Sequence, residues 1–400
     1  MLSEPKEIFE EMKRCFREDP DVQQVAIYDE DLFKHKDYVM EVSRLIQEDE
    51  ELGLSKLDWF TLASIESLDQ YTWEEIALSG LGGVFIGLES KFAPDSGDQK
   101  REGDAQETFS NLLKWGISIT SGWMCGFDFH DRVNVVEDFN YLVSLEPTSH
   151  QLTKVTAFPG TPFWERMKEE GRIDEDTAWE DVNFYGGGFK HKNFEDHEIM
   201  DFLLKGYRKL HETWGPTVMR QLRLHLNGYE SCRASSNPLL REQRSKRHRN
   251  LCRQLYPLIR VSEQFAPNGI VRRQIRQIHD RYVKNFGTPS SAQSVQSYYI
   301  LAKAFQEKLR ENVLPRNSEP RQEPFKKYVY PAAGERQPGH SPYRVFYPQT
   351  DWRYELSSKW MQTKNQVFGK LLGTLDQIDE RRGVKPIERP DQTIHSLKFL

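Results

Sequence analysis

The residues of this chain best suited to chemistry are carboxylates and hydroxyls that follow short apolar runs: Asp29, Glu30 and Asp31; Ser64 and Glu66; Glu89 and Ser90; then Asp128, His130 and Asp131. Ionised carboxylates accept hydrogen bonds and pair with cations, so these groups, brought together, would suit a cationic ligand. His130, between Phe129 and Asp131, could carry a proton; a lone loop histidine is otherwise a surface residue. The four cysteines, Cys15, Cys125, Cys232 and Cys252, form no CxxC pair, which gives neither a disulfide framework nor a metal knuckle. Cys125 reads as a buried strand cysteine. His248 and Cys252 stand four apart on an expected helix, a ligand-compatible spacing, but the cationic run REQRSKRHRN around them opposes a metal ion.

These residues need elements to position them. From residue 22 to about 157, apolar runs (VQQVAIY, LDWFTLASI, GGVFIGLE, ISITSGWMCGF, HQLTKVTAF) alternate with amphipathic stretches (KDYVMEVSRLIQ, TWEEIALSGL, AQETFSNLLKWG, VNVVEDFNYLVSLE). Val39, Val42, Leu45 and Ile46, and later Val135, Val136, Phe139, Leu142 and Val143, recur at helical steps that put them on one face. Gly80, Gly82 and Gly83 read as the stop of one helix and Gly116 as the stop of the next, with Pro147 after the last. Strand and helix alternating five times predict an α/β fold, a partial barrel of about five parallel strands, and in such a barrel the loops after the strands form the active face.

After Gly171 the alternation stops. The aromatic stretch WEDVNFYGGGFKHKNF leads into an expected long helix, EIMDFLLKGYRKLHETW. Residues 315 to 348 carry seven prolines and read as an extended linker, and residues 351 to 382 as one amphipathic helix. The expected organisation is a partial barrel over 1–175, a mainly helical region over 176–314, a linker over 315–350 and a terminal helix and tail over 351–400.

Composition narrows the class. With 37% hydrophobic and 29% charged residues among 400, the chain can bury a sizeable core. Its net charge of -6 carries no overall nucleic-acid signature. Residues 241 to 260 hold seven Arg or Lys against one Glu; without interleaved aromatics that run reads as a solvated helix face rather than an RNA grip. No apolar run is long enough for a membrane span, the start has neither signal-peptide nor transit-peptide character, and a cytoplasmic location is expected.

The succession of GVFIGLES, a helix, a strand ending in CGF, an acidic helix and then AFPGTPFWERMKEEGRI closely resembles the back half of radical S-adenosylmethionine enzymes, in the subgroup often fused to cobalamin-binding domains. VAIYDEDLF resembles that subgroup's second barrel strand, so the resemblance covers roughly residues 1 to 175, with the PGTP segment, Pro159 to Pro162, its most specific part. It implies that Glu89 with Ser90 meets the ribose of S-adenosylmethionine and that Asp29, Glu30 or Asp31 lies near the methionyl ammonium; as a helix-capping acidic turn is the alternative for those three. Pro159 and Gly160 would supply a turn and a close approach of backbone to ligand.

This chain departs from the family where the loop after strand five is concerned, since Gly126, Phe127, Asp128, Phe129 and His130 stand where the subgroup has glycine, proline and glycine. It also has no CxxxCxxC loop for the four-iron four-sulfur cluster that the resemblance implies. The expectation is a chain lacking strand one, the cluster and any upstream cobalamin domain, with open sheet edges at 22–28 and 150–157 that something should cover. A missing segment or a partner chain would supply the cluster; a non-catalytic barrel kept for ligand binding or as a scaffold is the alternative.

Overall fold

The computed structural model describes residues 4–19, 22–92, 104–173, 182–186, 188–313, 327–329, 344–346, 367 and 369–381, which fall into two compact units that divide at Thr288 and Pro289. In the first, β1 (Val25–Ala26), β2 (Trp59–Leu62), β3 (Leu81–Glu89), β4 (Ser118–Cys125) and β5 (Ser149–Lys154) form one parallel sheet in sequence order. This is the partial α/β barrel that the alternating pattern predicts. Its helices are α1 (Pro5–Glu18), α2 (Lys36–Glu48), α3 (Gly53–Lys56), α4 (Ile65–Leu68), α5 (Trp73–Leu78), α6 (Ala105–Lys114), α7 (Asn134–Ser144) and α8 (Pro162–Glu169). A mainly helical part follows, with α9 (Asp196–Trp214), α10 (Thr217–Ala234), α11 (Ser245–Leu255), α12 (Ile259–Gln264) and α13 (Gly269–Phe286).

Pleat alternation sorts the sheet into two faces. Val84, Ile86, Leu88, Ile119, Trp123 and Cys125 point outward and are buried with Val39, Val42, Ile46, Phe109, Val135, Phe139 and Leu142 from the helices. Full burial of each such aliphatic side chain is worth roughly 1.5–3 kcal/mol. Val136 departs from the expected stripe and is exposed, because one step past Val135 it turns off the buried face.

Gly82 and Gly83, expected to end a helix, lie inside β3, and only Gly80, at φ 81°, ends the preceding segment. The reason is crowding: a Cβ on Gly82 would sit 1.6 Å from Asp58 Oδ1, and one on Gly83 3.1 Å from the Phe60 ring. The β5 edge, expected to be open, is covered. Lys154 N–H donates to Phe184 O at 2.8 Å and Leu152 N–H to the Tyr207 hydroxyl at 3.1 Å. β1 pairs with β2 alone, so the N–H and C=O of Ala26 face away from the sheet.

The cationic run expected to be a solvated face is instead turned inward, beneath the N-terminal ends of the strands. Arg244, Arg247 and His248 are buried. Both guanidiniums pair with buried Asp58, directly ahead of β2. Arg244 also donates to Leu81 O at 2.6 Å, and Arg247 to Gln23 O at 2.8 Å and Lys56 O at 3.2 Å. Carbonyls at the start of β1, β2 and β3 thus find their donors on α11 and the turn before it. The His248 ring occupies a slot between Gly116 and Gly228, where a Cβ would come within 2.5 and 2.7 Å of its Cε1. Its Nδ1 lies 3.3 Å from His225 Nδ1. Cys252 is buried and its thiol is pushed up by desolvation.

In the second unit, Ser291 at the start of α14 (Ser291–Val313) donates its N–H and its hydroxyl to the Asp379 carboxylate, at 2.7 and 2.9 Å, and residues 369–381 are helical. Within the stretch expected to be an extended linker, β6 (Lys327–Val329) and β7 (Arg344–Phe346) pair antiparallel. The rest of that stretch, and the remainder of the helix expected over 351–382, lie outside the described residues.

Replacing Asp58 with Ala strands two buried cations and should cost about 3–5 kcal/mol in equilibrium urea unfolding. Burial, with Arg247 and Arg244 nearby, lowers the His225 pKa to about 3 from 6.5, and His248 is also lowered. Between those values the unfolded chain binds more protons than the folded one, so this stability is complete above pH 6.5 and fades as pH falls towards 3. The melting temperature should follow that slope, and His225→Asn should flatten it.

Candidate functional site

The C-terminal ends of the strands differ in character. After β1, Asp29 Oδ1 accepts Asp31 N–H at 3.0 Å. Asp31 is buried, and its Oδ1 accepts the Ser67 hydroxyl at 2.6 Å and Ser64 N–H at 3.2 Å, with Lys34 3.4 Å from Oδ2. Asp31 therefore ties the turn after β1 to the start of α4, and it does not cap α2, whose N-cap position is His35. Glu30 is exposed. Ser64 caps α4 by accepting Ser67 N–H at 3.1 Å, while Glu66 faces solvent.

The end of β3 is unlike the others. Gly83, Phe85 and Gly87 face the concave side with Thr120, Gly122 and Met124 of β4; a Cβ on Gly122 would lie 2.7 Å from the Phe85 ring. Gly122 is thus buried beneath the Phe85 ring, and Gly87 is the exposed glycine of this floor. The pairing of β3 with β4 is irregular between Gly87 and Glu89, and Glu89 has φ 51°, in the left-handed region that a residue with a Cβ rarely adopts. A Cβ on Gly87 would be 2.7 Å from Glu89 Oε1, so the carboxylate folds back over the glycine floor. Ser90 is buried and accepts Phe92 N–H at 3.1 Å.

After β4, Asp128 forms a two-pronged ion pair with Arg172, both contacts at 2.7 Å, and lies 3.1 Å from Lys192. Those cations bring its carboxyl down to about 2 against the opposing effect of burial, the largest single influence. Asp131 accepts Val133 and Asn134 N–H, capping the entry to α7. His130, expected at the surface, is fully buried: its Nδ1 accepts Gly126 N–H at 3.1 Å and its Nε2 is 3.2 Å from Asp138 Oδ2. Cys125 is buried, its thiol pushed up to about 12, which leaves it unreactive.

Pro159 and Gly160 are exposed in a turn, Gly160 at φ 84° with nothing within 4 Å of a Cβ there. Thr161 caps α8 by accepting Trp164 N–H at 3.2 Å. Glu89, the glycine floor and the turn after β4 therefore adjoin one another, while Asp31, Ser64 and Asp128 are engaged in holding loops. Sequence reasoning missed Asp138 and the concave position of Gly87 and Gly122. The signal for Asp138 was its place between Val135 and Phe139 on the apolar face of α7.

With this geometry in place, comparison with known proteins adds one likeness. No family model matches the chain. Over 178 residues it is 25% identical to bacteriochlorophyllide d C-12(1)-methyltransferase of Chlorobaculum tepidum, across 42% of this chain and 38% of that protein. The likeness is to a methyltransferase. The chain thus spans well under half the length of that relative, which leaves whole-protein activity to be proposed.

A cluster site can be tested against the thiols. Cys15 lies on α1, Cys125 on β4, Cys232 on α10 and Cys252 on α11, the last three buried. Among the described residues no three His, Cys, Asp or Glu side chains come together as metal ligands, so these residues do not fit an iron-sulfur cluster. The same residues contain no helix long and apolar enough to cross a membrane.

Asp31→Ala should cost about 1–3 kcal/mol of stability, since buried donors on Ser64 and Ser67 lose their acceptor. Glu66→Ala, at a solvent-facing position, should stay within about 0.5 kcal/mol in the same unfolding measurement.

Proposed function

We propose that this chain is the nucleoside-binding part of an S-adenosylmethionine-dependent enzyme of methyl-transfer or radical type, taking the cofactor on the concave side where β3 and β4 end. One observation carries the reading: Glu89 is held at φ 51° with its carboxylate over the exposed Gly87 floor. A left-handed backbone on a residue with a Cβ costs about 1–3 kcal/mol, persists where the surrounding structure over-determines it, and clusters at ligand sites. A carboxylate accepts from two adjacent ribose hydroxyls, and a floor of glycine lets a flat base or sugar approach the backbone. The methyltransferase likeness supports the same cofactor.

S-adenosylmethionine, when bound, supplies a methyl group on a positively charged sulfur. The chain's own residues orient it. Asp31 is committed to Ser64, Ser67 and Lys34, and Asp29 Oδ1 to Asp31 N–H, which leaves Glu30 and Asp29 Oδ2 to meet the methionyl ammonium. An iron-sulfur cluster, where the reaction uses one, would rest on thiolates outside the described residues, from a further segment or a partner chain along the outward side of β1. Cobalamin would enter by the same route. The second reading, a ligand-binding scaffold without redox chemistry, is favoured by the scattered thiols.

Titration calorimetry with S-adenosylmethionine tests the reading. The unaltered chain should bind, and Glu89→Gln should weaken binding about tenfold through loss of a charge-assisted hydrogen bond. Glu89→Gly should abolish binding while leaving stability unchanged or raised, because glycine accepts φ 51° without strain. Equal affinity in all three would refute the assignment. Anaerobic iron and sulfide should give this chain no stoichiometric cluster, and a brown, fully loaded protein would contradict the division of labour.

A further inference from the structure

Behind Glu89, one fully buried carboxylate governs the turns that end two neighbouring strands. Asp138, on α7, accepts three hydrogen bonds. Lys91 N–H donates to its Oδ1 at 2.7 Å, and Trp123 Nε1–H to its Oδ2 at 3.0 Å. His130 Nε2 lies 3.2 Å from the same Oδ2, and since His130 Nδ1 accepts from Gly126 N–H at 3.1 Å, the ring proton sits on Nε2 and points at Asp138. Asn193 completes the group by donating to His130 O at 2.8 Å.

The consequences fall on the concave side. Lys91 stands two residues past Glu89, and with Ser90 buried and bonded to Phe92 N–H, the chain leaving β3 has no latitude. Trp123 pairs in register with Glu89 across the sheet while its side chain reaches back to Asp138. Gly126, held by His130, turns the chain at the end of β4 with φ 97°. A buried acceptor with three donors is rigid, and removing it would free donors on both turns together.

We propose that Asp138 is the positioning residue of this site: through Lys91 it fixes the left-handed Glu89, and through His130 and Trp123 it fixes the β4 turn beside it. Asp138 touches no ligand itself. The inference rests on the S-adenosylmethionine reading of Glu89, so the test separates the two.

Binding of S-adenosylmethionine to the full chain should be measured for the unaltered protein, Glu89→Gln, Asp138→Asn and the double variant, with Asn140→Ala, exposed on the same helix, as control. Asn offers one acceptor oxygen in place of two, so Asp138→Asn should weaken binding about tenfold, and the double variant should be no weaker than Glu89→Gln alone, since both act on one contact. A generally loosened fold would give additive losses instead. Should Asp138→Asn fail to fold, Trp123→Phe removes a single donor and should give a smaller, equally non-additive loss. Additive losses, or full affinity in a folded Asp138 variant when Glu89→Gln is impaired, would overturn the positioning role and leave the reading of Glu89 standing. No binding by the unaltered protein would overturn both.

Discussion

Asp58 is the constraint on which the half-barrel depends. Arg244 and Arg247, both buried, share its carboxylate and hand their remaining donors to carbonyls that begin β1, β2 and β3. Isolated charges at such depth would be too costly, and the arrangement persists because each guanidinium has the Asp58 carboxylate and at least one backbone carbonyl to accept from it. Gly82 is part of the same device, since any side chain there would occupy the space of the Asp58 carboxylate. The helical region is thereby fastened to the sheet by charge as well as by apolar packing.

With one end of the strands so fixed, the other can carry irregular backbone. Glu89 and Gly126 both adopt positive φ where β3 and β4 end, and Asp138 supplies the hydrogen bonds that hold both turns. The two ends of the sheet thus use buried carboxylates differently: Asp58 joins elements distant in sequence, whereas Asp138 sets the aim of a neighbouring side chain. Glu89 is the one strand-end acid in the candidate group whose backbone is strained and whose carboxylate overhangs the concave floor, which sets it apart from Asp31 and Asp128.

Much of this was legible in the residues. The five runs and their helices follow from period-two and period-3.6 patterning, and Glu89 followed from its place after GVFIGL. Other features were not, for physical reasons. Gly82 and Gly83 look like a helix stop because the collision that demands glycine involves Asp58 and Phe60, some twenty residues away in the chain. Arg244 and Arg247 look like solvated charges because their acceptors are Asp58 and backbone carbonyls contributed by three strand starts, which no local window contains. His130 looks like a surface residue because its partner, Asp138, belongs to the next helix. Asp138 itself could have been found, since an acid on an apolar helix face needs buried donors.

The most direct test of the central claim is a crystal structure of this chain with S-adenosylmethionine. The ribose hydroxyls should lie within hydrogen-bond distance of Glu89, beside the exposed Gly87, with Glu89 still left-handed. A ligand bound elsewhere, or a Glu89 relaxed into ordinary extended backbone with its carboxylate turned from the concave face, would contradict it.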